Sequence, residues 1–238
     1  RVLASAIKYD NEKQKKRKEQ AKLSKGYYHT ERELVKGIKE NVLGTKNYRG
    51  KFKTIECQIM DIADDIAYST YDLEDAFKSG FLNPLEMLDP GSEKIAKIQE
   101  KISERANIPC TPDEVRSVLI SVLMDNFKPT QNKNANQFDV AKLSRDKEQV
   151  AEFLVLMSVY TYQDAVDLAS NGYRRAAFTS AIVNKHIQGI EVDTSSKHPA
   201  LWKVNLNPET RFMVEVLKQF AYVSIIESPR LKIPEYRG

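Results

Sequence analysis

The spacing of apolar residues predicts a chain made almost entirely of helices. The clearest stretch is 56–77, where isoleucine and alanine recur at helical spacing and neither glycine nor proline interrupts. The residues that define this stripe are Ile59, Ile62, Ala63, Ile66, Ala67 and Phe77. Weaker patterns of the same period predict further helical segments at 1–9, 34–42, 93–106, 115–127, 147–170 (one or two helices), 174–187 and 208–226. We therefore expect an all-α fold, a bundle of several packed helices.

An alternating pattern occurs in one place near the C-terminus. Ile190 and Val192 alternate with polar residues, and after a polar turn the apolar residues alternate again at Trp202, Val204 and Leu206. This pattern predicts one short β-hairpin near residues 190–206.

Helix boundaries are also readable at two positions. Gly44 follows the helix predicted at 34–42 and is a plausible left-handed stop. Thr111 and Glu114 have the spacing of a capping box, with Pro112 at the first helical position.

Composition limits the class of protein. The 238 residues are 41% apolar and 29% charged, as in ordinary globular proteins. No apolar run approaches the roughly 20 residues of a membrane span, and no signal-peptide pattern is present. Cys57 and Cys110 lie far apart and show no metal-ligand spacing, which favours a reducing compartment. We expect a cytoplasmic protein with no membrane partner, and the net charge of +4 is weak support for nucleic-acid binding.

A basic stretch at 11–25 holds seven Lys or Arg residues and two Glu. A solvated excursion is the interpretation we favour, because blocks of like charge repel one another. An arm that binds phosphate or nucleic acid is the alternative. No aromatic residue is interleaved with these charges, although Tyr27 and Tyr28 follow directly.

The helix predicted at 56–77 carries an unusual charge. It holds five aspartates and two glutamates, and no Lys or Arg occurs between Lys53 and Lys78. Asp64, Tyr68 and Asp72 lie four residues apart and therefore form one stripe along the helix. Acids on so apolar a helix are costly to bury unless a positive group meets them. A metal ion or a hydrogen-bonding substrate would meet that need.

Residues 63–76, ADDIAYSTYDLEDA, carry a family resemblance. They resemble the ADDIAYSxxDLEDA pattern of the deoxynucleotide triphosphohydrolases of the HD superfamily, which include the bacterial dGTPases. The resemblance implies an HD-domain-like helical bundle. It also implies that residues 1–85 are the rear part of the catalytic core and that 86–238 form a helical C-terminal region packed on it.

The resemblance implies a metal ligand in this helix. In that family two His and two Asp hold a divalent cation (Mg, Mn, Fe or Co), and the last Asp comes from this pattern. Such a cation activates water and polarises a phosphoryl oxygen. Asp64 matches the ligand position, and Asp65 is the near alternative. In the plainest interpretation both are solvated helix acids.

Substrate contacts are implied at four further positions. Tyr68 matches a tyrosine that lies against the substrate phosphates and sugar, and an ordinary core tyrosine is its alternative. Asp72 matches an acid that accepts from the deoxyribose 3′-OH. Lys8 and Tyr9 match a Lys-Tyr-Pro element that contacts the polyphosphate, although Asp10 here replaces the proline.

Four other residues are weaker candidates. Arg175, with Arg174, falls in a segment that is basic near the nucleotide in the family, but a surface Arg pair is the plainer interpretation. Asp61 and Asp75 either support the site or are plain helix acids.

The family's first metal-binding His and its His-Asp pair have no counterpart in this sequence. Its histidines are His29, His186 and His198, and none is followed by Asp. The chain also begins at Arg1 inside an apolar run with no capping residue in front. We therefore expect a piece of a longer chain, with a degenerate relative as the alternative.

The resemblance implies hydrolysis of dGTP, or another dNTP, to the deoxynucleoside and inorganic triphosphate in the parent protein. Asp64 and Tyr68 are the candidate catalytic residues. Other HD-family nucleotide phosphohydrolases and a non-catalytic helical regulatory or scaffold subunit are the alternatives. As partners we expect further copies of the chain in a homo-oligomer, and a single-stranded DNA or nucleotide effector.

Overall fold

The chain is described by a computed structural model that covers residues 2–12, 25–46, 48, 50–126 and 147–227, without the side chains of 147–157. Within these residues there are eight α-helices and one two-stranded antiparallel sheet, so the all-α prediction with one hairpin is confirmed. Most of the basic stretch 11–25 and the polar loop at 129–137 lie outside the described residues. No described helix combines the length and hydropathy that a membrane span requires.

The described elements follow the predicted order, and 147–170 is one helix rather than two. The helices are α1 (Val2–Ser5), α2 (Arg32–Leu43), α3 (Ile55–Lys78), α4 (Ser92–Ala106), α5 (Pro112–Asn126), α6 (Lys147–Ser170), α7 (Gly172–Gln188) and α8 (Pro208–Ile225). The strands are β1 (Ile190–Asp193) and β2 (Lys203–Leu206).

The buried side of α3 differs from its apolar stripe. Of the residues that define the stripe, Ile66 and Phe77 are buried, whereas Ile59 is 50% exposed. Ser69 and Thr70 are buried instead, because their hydroxyls donate to the carbonyl oxygen of Ile66 at 2.9 and 2.7 Å. A hydroxyl satisfied within its own helix can face the core at little cost. The side of α3 that faces the core therefore combines part of the apolar stripe with two hydroxyl residues.

The described residues belong to two compact units whose division lies within α3. The first unit comprises Arg1–Asp65 and Gly189–Asn207, and the second comprises Ile66–Gln188 and Pro208–Gly238. The predicted division at residue 85, between a catalytic core and a C-terminal region, stays a prediction.

In the first unit, Gln58 of α3 holds the hairpin. Its side-chain nitrogen donates to the carbonyl oxygen of Trp202 at 2.9 Å, and its oxygen accepts from the N–H of Val204 at 3.0 Å. The hairpin pairs Ile190 with Leu206. One side-chain amide therefore satisfies two main-chain groups at the edge of β2, where water would otherwise bind. The small core of this unit consists of Ala4, Leu43, Phe52 and Leu201.

The second unit holds the larger core. It is built from the second half of α3 and from α4, α5, α7 and α8, with Ile95, Ile98 and Ile102 facing inward as predicted. The capping box at the start of α5 is confirmed, since the N–H of Thr111 donates to Glu114 at 2.7 Å and the N–H of Glu114 donates back to the Thr111 hydroxyl at 3.3 Å.

Gly44 ends α2 as predicted. Its φ is 66°, in the left-handed region, and its N–H donates to the carbonyl oxygen of Glu40 at 2.9 Å. We predict that Gly44→Ala lowers the free energy of unfolding by about 1 kcal/mol, because a Cβ is strained at this φ. Urea denaturation would measure the change.

Gly37 provides the matched control, because it lies within the same helix and no atom lies within 4 Å of the Cβ that alanine would add. Gly37→Ala should raise the free energy of unfolding by about 0.5–1 kcal/mol, since alanine loses less conformational freedom on folding. Equal effects from the two substitutions would contradict the assignment of strain to Gly44.

Candidate functional site

Two aspartates in the first half of α3 share one lysine. Lys8 Nζ lies 2.9 Å from Asp61 Oδ1 and 3.1 Å from Asp64 Oδ2. Lys53 forms a second ion pair with Asp61. The positive charge that this acidic helix requires is therefore supplied here by lysine side chains from the preceding segments.

These ion pairs perturb the pKa values of their members. Burial acts to raise the pKa of Asp61, but hydrogen bonds from Lys53 and then Lys8 outweigh it, so the pKa lies below the ordinary value. The pKa of Lys8 is raised by its hydrogen bonds to Asp61 and then Asp64. Lys8 and Asp61 are consequently both charged at neutral pH.

Asp10 positions the segment that carries Lys8. One of its oxygens accepts from the main-chain N–H of Phe52 at 3.2 Å, and the other pairs with Lys39 of α2. The residue that departs from the family's Lys-Tyr-Pro element thus attaches the segment to its neighbours. Tyr9 lies in contact with Lys25, whose ammonium donates to the phenol oxygen at 3.2 Å.

The carboxylates near Lys8 fit a divalent cation only in part. The Asp64 side chain is 51% exposed, which leaves it accessible, but Lys8 already neutralises it. Across the described ranges, no group of three or more His, Cys, Asp or Glu side chains is arranged to hold a metal ion. The described residues alone do not make a metal centre, and the ligand role of Asp64 stays a prediction.

The second half of α3 lines a pocket of about 350 Å³. Its lining includes Tyr68, Asp72 and Asp75 of α3. The other lining residues come from α4, from α8 and from the turn after α8, and they are Arg105, Lys218, Gln219, Ala221, Tyr222, Ile225 and Ile226. Tyr68 is 56% exposed, so its ring is available to a ligand. Partial burial, and then the charge of Asp75, raises the pKa of Asp72. The structure therefore brings the two predicted substrate residues Tyr68 and Asp72 to one concave surface.

Arg175 is not at this pocket. Its guanidinium donates to the carbonyl oxygen of Ala169 at 2.6 Å and lies 3.5 Å from that of Leu168, where α6 ends. A cation that binds the last carbonyls of a helix is a cap. Its neighbour Arg174 lines a separate pocket of about 270 Å³ with Asp125 and Asp164. A substrate role for Arg175 stays a prediction.

Several residues of these surfaces were missed by sequence reasoning. Nothing in the sequence marks Lys53 or Arg105 as a residue of these surfaces, because their partners are set by the packing of other segments. Lys218 and Gln219 interrupt an otherwise apolar stretch of α8, and that interruption was the one available sign of a polar group facing a pocket.

No protein-family model matches the chain, but known protein sequences do. All of this chain aligns with 51% of the deoxyguanosinetriphosphate triphosphohydrolase-like protein 2 of Mesorhizobium japonicum, at 35% identity over 242 residues. This match supports the resemblance to the dGTPases that residues 63–76 carry. Further relatives include the deoxyguanosinetriphosphate triphosphohydrolase-like proteins of Shewanella sediminis (28% identity) and Shewanella pealeana (24%).

Each alignment covers most of this chain but a smaller share of the relative. The Shewanella alignments cover 81% of this chain and 32% of each relative. The chain thus spans about half the length of the Mesorhizobium protein and about a third of the Shewanella proteins.

His186 of α7 is fully buried, and neither ring nitrogen has a hydrogen-bond partner within the described part of the chain. Burial, with a smaller contribution from the charge of Lys185, lowers its pKa from 6.5 to about 4. The folded state therefore resists protonation that the unfolded state accepts. Stability is complete above the unfolded pKa and falls as the pH drops from about 6.5 towards 4.

We predict that His186 makes the free energy of unfolding fall by up to about 3 kcal/mol between neutral pH and pH 4, at about 1.4 kcal/mol per pKa unit. Urea denaturation of the wild type and of His186→Leu across this range would isolate the contribution as their difference. His198→Gln serves as the control and should keep the fall. A difference between wild type and His186→Leu that does not change with pH would contradict the prediction.

Proposed function

We propose that the protein containing this chain hydrolyses a deoxynucleoside triphosphate, with dGTP as the first candidate, to the deoxynucleoside and inorganic triphosphate. The observation that carries the proposal is that Asp64, Tyr68 and Asp72 lie four residues apart along α3 with all three side chains exposed. These residues lie within the 63–76 pattern, in a chain that is similar along its whole length to a dGTPase-like protein.

In the proposed reaction the oxygen of water bonds to the α-phosphorus. The bond from that phosphorus to the 5′ oxygen breaks, and the 5′ oxygen leaves with a proton as the deoxynucleoside hydroxyl. The α-, β- and γ-phosphates leave together as inorganic triphosphate. The phenol of Tyr68 would donate to a phosphate oxygen and so orient the reacting group.

Lys8 has two states in this proposal. In the described structure its ammonium neutralises Asp61 and Asp64. Asp64 is the predicted ligand to a divalent cation (Mg, Mn, Fe or Co), and Lys8 must leave it before a cation binds there. Lys8 would then be available to the phosphate oxygens, beside Tyr9, as the family resemblance implies.

Asp72 is proposed to recognise the deoxyribose of the substrate. Its carboxyl is partly desolvated, which disfavours the charged form and raises its pKa. A hydroxyl that donates to this carboxylate would replace the lost hydration. The site would then prefer a substrate with a 3′-OH, because without it the acid stays both desolvated and unpaired. Self-association and a response to nucleotides or single-stranded DNA stay predictions.

Product analysis tests the reaction. With dGTP and a divalent cation, the whole protein should release deoxyguanosine and tripolyphosphate, separated by anion-exchange chromatography.

Asp64→Asn keeps the size of the side chain and removes its charge, so we predict that kcat falls by roughly 1000-fold. Circular dichroism would check that the variant remains folded.

Asp113→Asn is the matched control, because the Asp113 side chain is 91% exposed and pairs with Arg116 outside these surfaces. It should leave kcat unchanged. Release of orthophosphate or a nucleoside monophosphate would point to another HD-type phosphohydrolase. No turnover of any nucleotide by the whole protein would favour a regulatory or scaffold role, and full activity of Asp64→Asn would reject the ligand assignment.

Selectivity tests the role of Asp72. The wild type should hydrolyse dGTP with a kcat/KM roughly 100-fold above that for 2′,3′-dideoxy-GTP, which lacks the 3′-OH. In Asp72→Ala this ratio should fall close to one, because the acceptor is gone. Asp75→Ala is the control: it removes a neighbouring carboxylate of the same pocket and should keep the ratio. Loss of the ratio in Asp75→Ala alone would transfer the role to Asp75.

A further inference from the structure

The pocket beside Asp72 has one apolar wall. Ala221, Tyr222 and Ile225, in the last turns of α8, and Ile226 after it form this side. Two cations lie over the Tyr222 ring, with Lys101 Nζ 5.0 Å and the Arg105 guanidinium carbon 5.1 Å from its centroid. These cation–π contacts hold the ring in place. A pocket of about 350 Å³ that combines an apolar wall with a set of polar side chains is typical of a small-molecule site.

Charge around the pocket is balanced. Asp72 and Asp75 supply two carboxylates, and Arg105 and Lys218 supply two cations. Lys218 is also 3.5 Å from Glu215. A pocket with no net excess of positive charge and an apolar wall suits an uncharged group better than a triphosphate.

Gln219 is the unusual residue of this pocket. Its side chain lines the cavity although the residue is only 3% exposed, and its Oε1 has no hydrogen-bond partner within the described residues. A buried amide oxygen without a partner destabilises the fold, and such groups are uncommon. A ligand in the pocket that donates a hydrogen bond to this oxygen would satisfy it.

We infer that this pocket takes the nucleobase of the deoxynucleotide and that Gln219 hydrogen-bonds the edge of the base. The inference rests on the proposed function and identifies the residue that recognises the base. A nucleobase is planar and uncharged, and it presents a hydrogen-bond donor beside an acceptor. A carboxamide matches that arrangement, because it offers one acceptor and two donors in a plane. The apolar wall that includes Tyr222 covers the remaining surface of the base.

Ser224 provides a matched control on the same helix. Its hydroxyl oxygen is also buried without a partner among the described residues, but it does not line the pocket. Gln219→Met and Ser224→Ala therefore each remove a buried, unpaired oxygen. Both variants should melt at or above the wild-type temperature, by about 2–4 °C if each removal relieves about 1 kcal/mol. Only Gln219→Met should affect binding.

Binding of deoxyguanosine, without phosphate and without added metal, tests the inference on the full chain. Ligand-observed NMR titration suits weak affinities. Wild type and Ser224→Ala should bind equally, and Gln219→Met should weaken binding by roughly tenfold, the value of one lost hydrogen bond. If Gln219→Met does not fold, Ile226→Trp fills the mouth of the pocket at a residue that is 54% exposed, and it should abolish binding.

The outcomes separate this inference from the proposed function. Deoxyguanosine binding that depends on Gln219, without tripolyphosphate release by the whole protein, would uphold the pocket and overturn the reaction. Tripolyphosphate release with unchanged binding in Gln219→Met would uphold the reaction and overturn the role of Gln219. Absence of deoxyguanosine binding to the wild type, or its loss in Ser224→Ala as well, would also overturn the inference.

Discussion

The need to neutralise or hydrate the carboxylates of α3 governs the described structure. In the first half of the helix, Lys8 contacts Asp61 and Asp64, and Lys53 contacts Asp61. Asp10 fixes the Lys8 segment through Phe52 and Lys39. In the second half, Tyr68 and Asp72 are exposed and line a pocket. Asp64 and Asp72 therefore keep exposed surface that is available to cations, hydroxyls or water.

The opposite side of α3 explains how an acidic helix can pack. Ser69 and Thr70 return their hydroxyl hydrogen bonds to the main chain at Ile66, so small polar residues join Leu73 and Phe77 in the interior. This arrangement leaves the other side free for acids and aromatic rings. A helix can thus serve the core and present a functional surface at once, provided that the polar groups on its buried side are satisfied locally.

Much of the fold could be predicted because it depends on local chemistry. The helix periods, the left-handed stop at Gly44, the capping box at Thr111 and the alternation from Ile190 to Leu206 each involve neighbouring residues, and each is confirmed. The side of α3 that faces the core could not be predicted, because hydropathy counts a serine or threonine as polar whether or not its hydroxyl is already bonded. That property belongs to backbone geometry and packing, which a residue-by-residue pattern does not contain.

The sequence by itself determined the family pattern at 63–76 and the spacing of Asp64, Tyr68 and Asp72, because a helix converts spacing into a common face. Only the tertiary structure decided their partners. The pair of Lys8 with Asp64 joins residues 56 positions apart, Arg175 is turned into a cap of α6, and Gln219 reaches the pocket of Tyr68 and Asp72. Such contacts depend on how distant segments pack, since ion pairs and hydrogen bonds act over a few ångströms of space, whatever the separation along the chain.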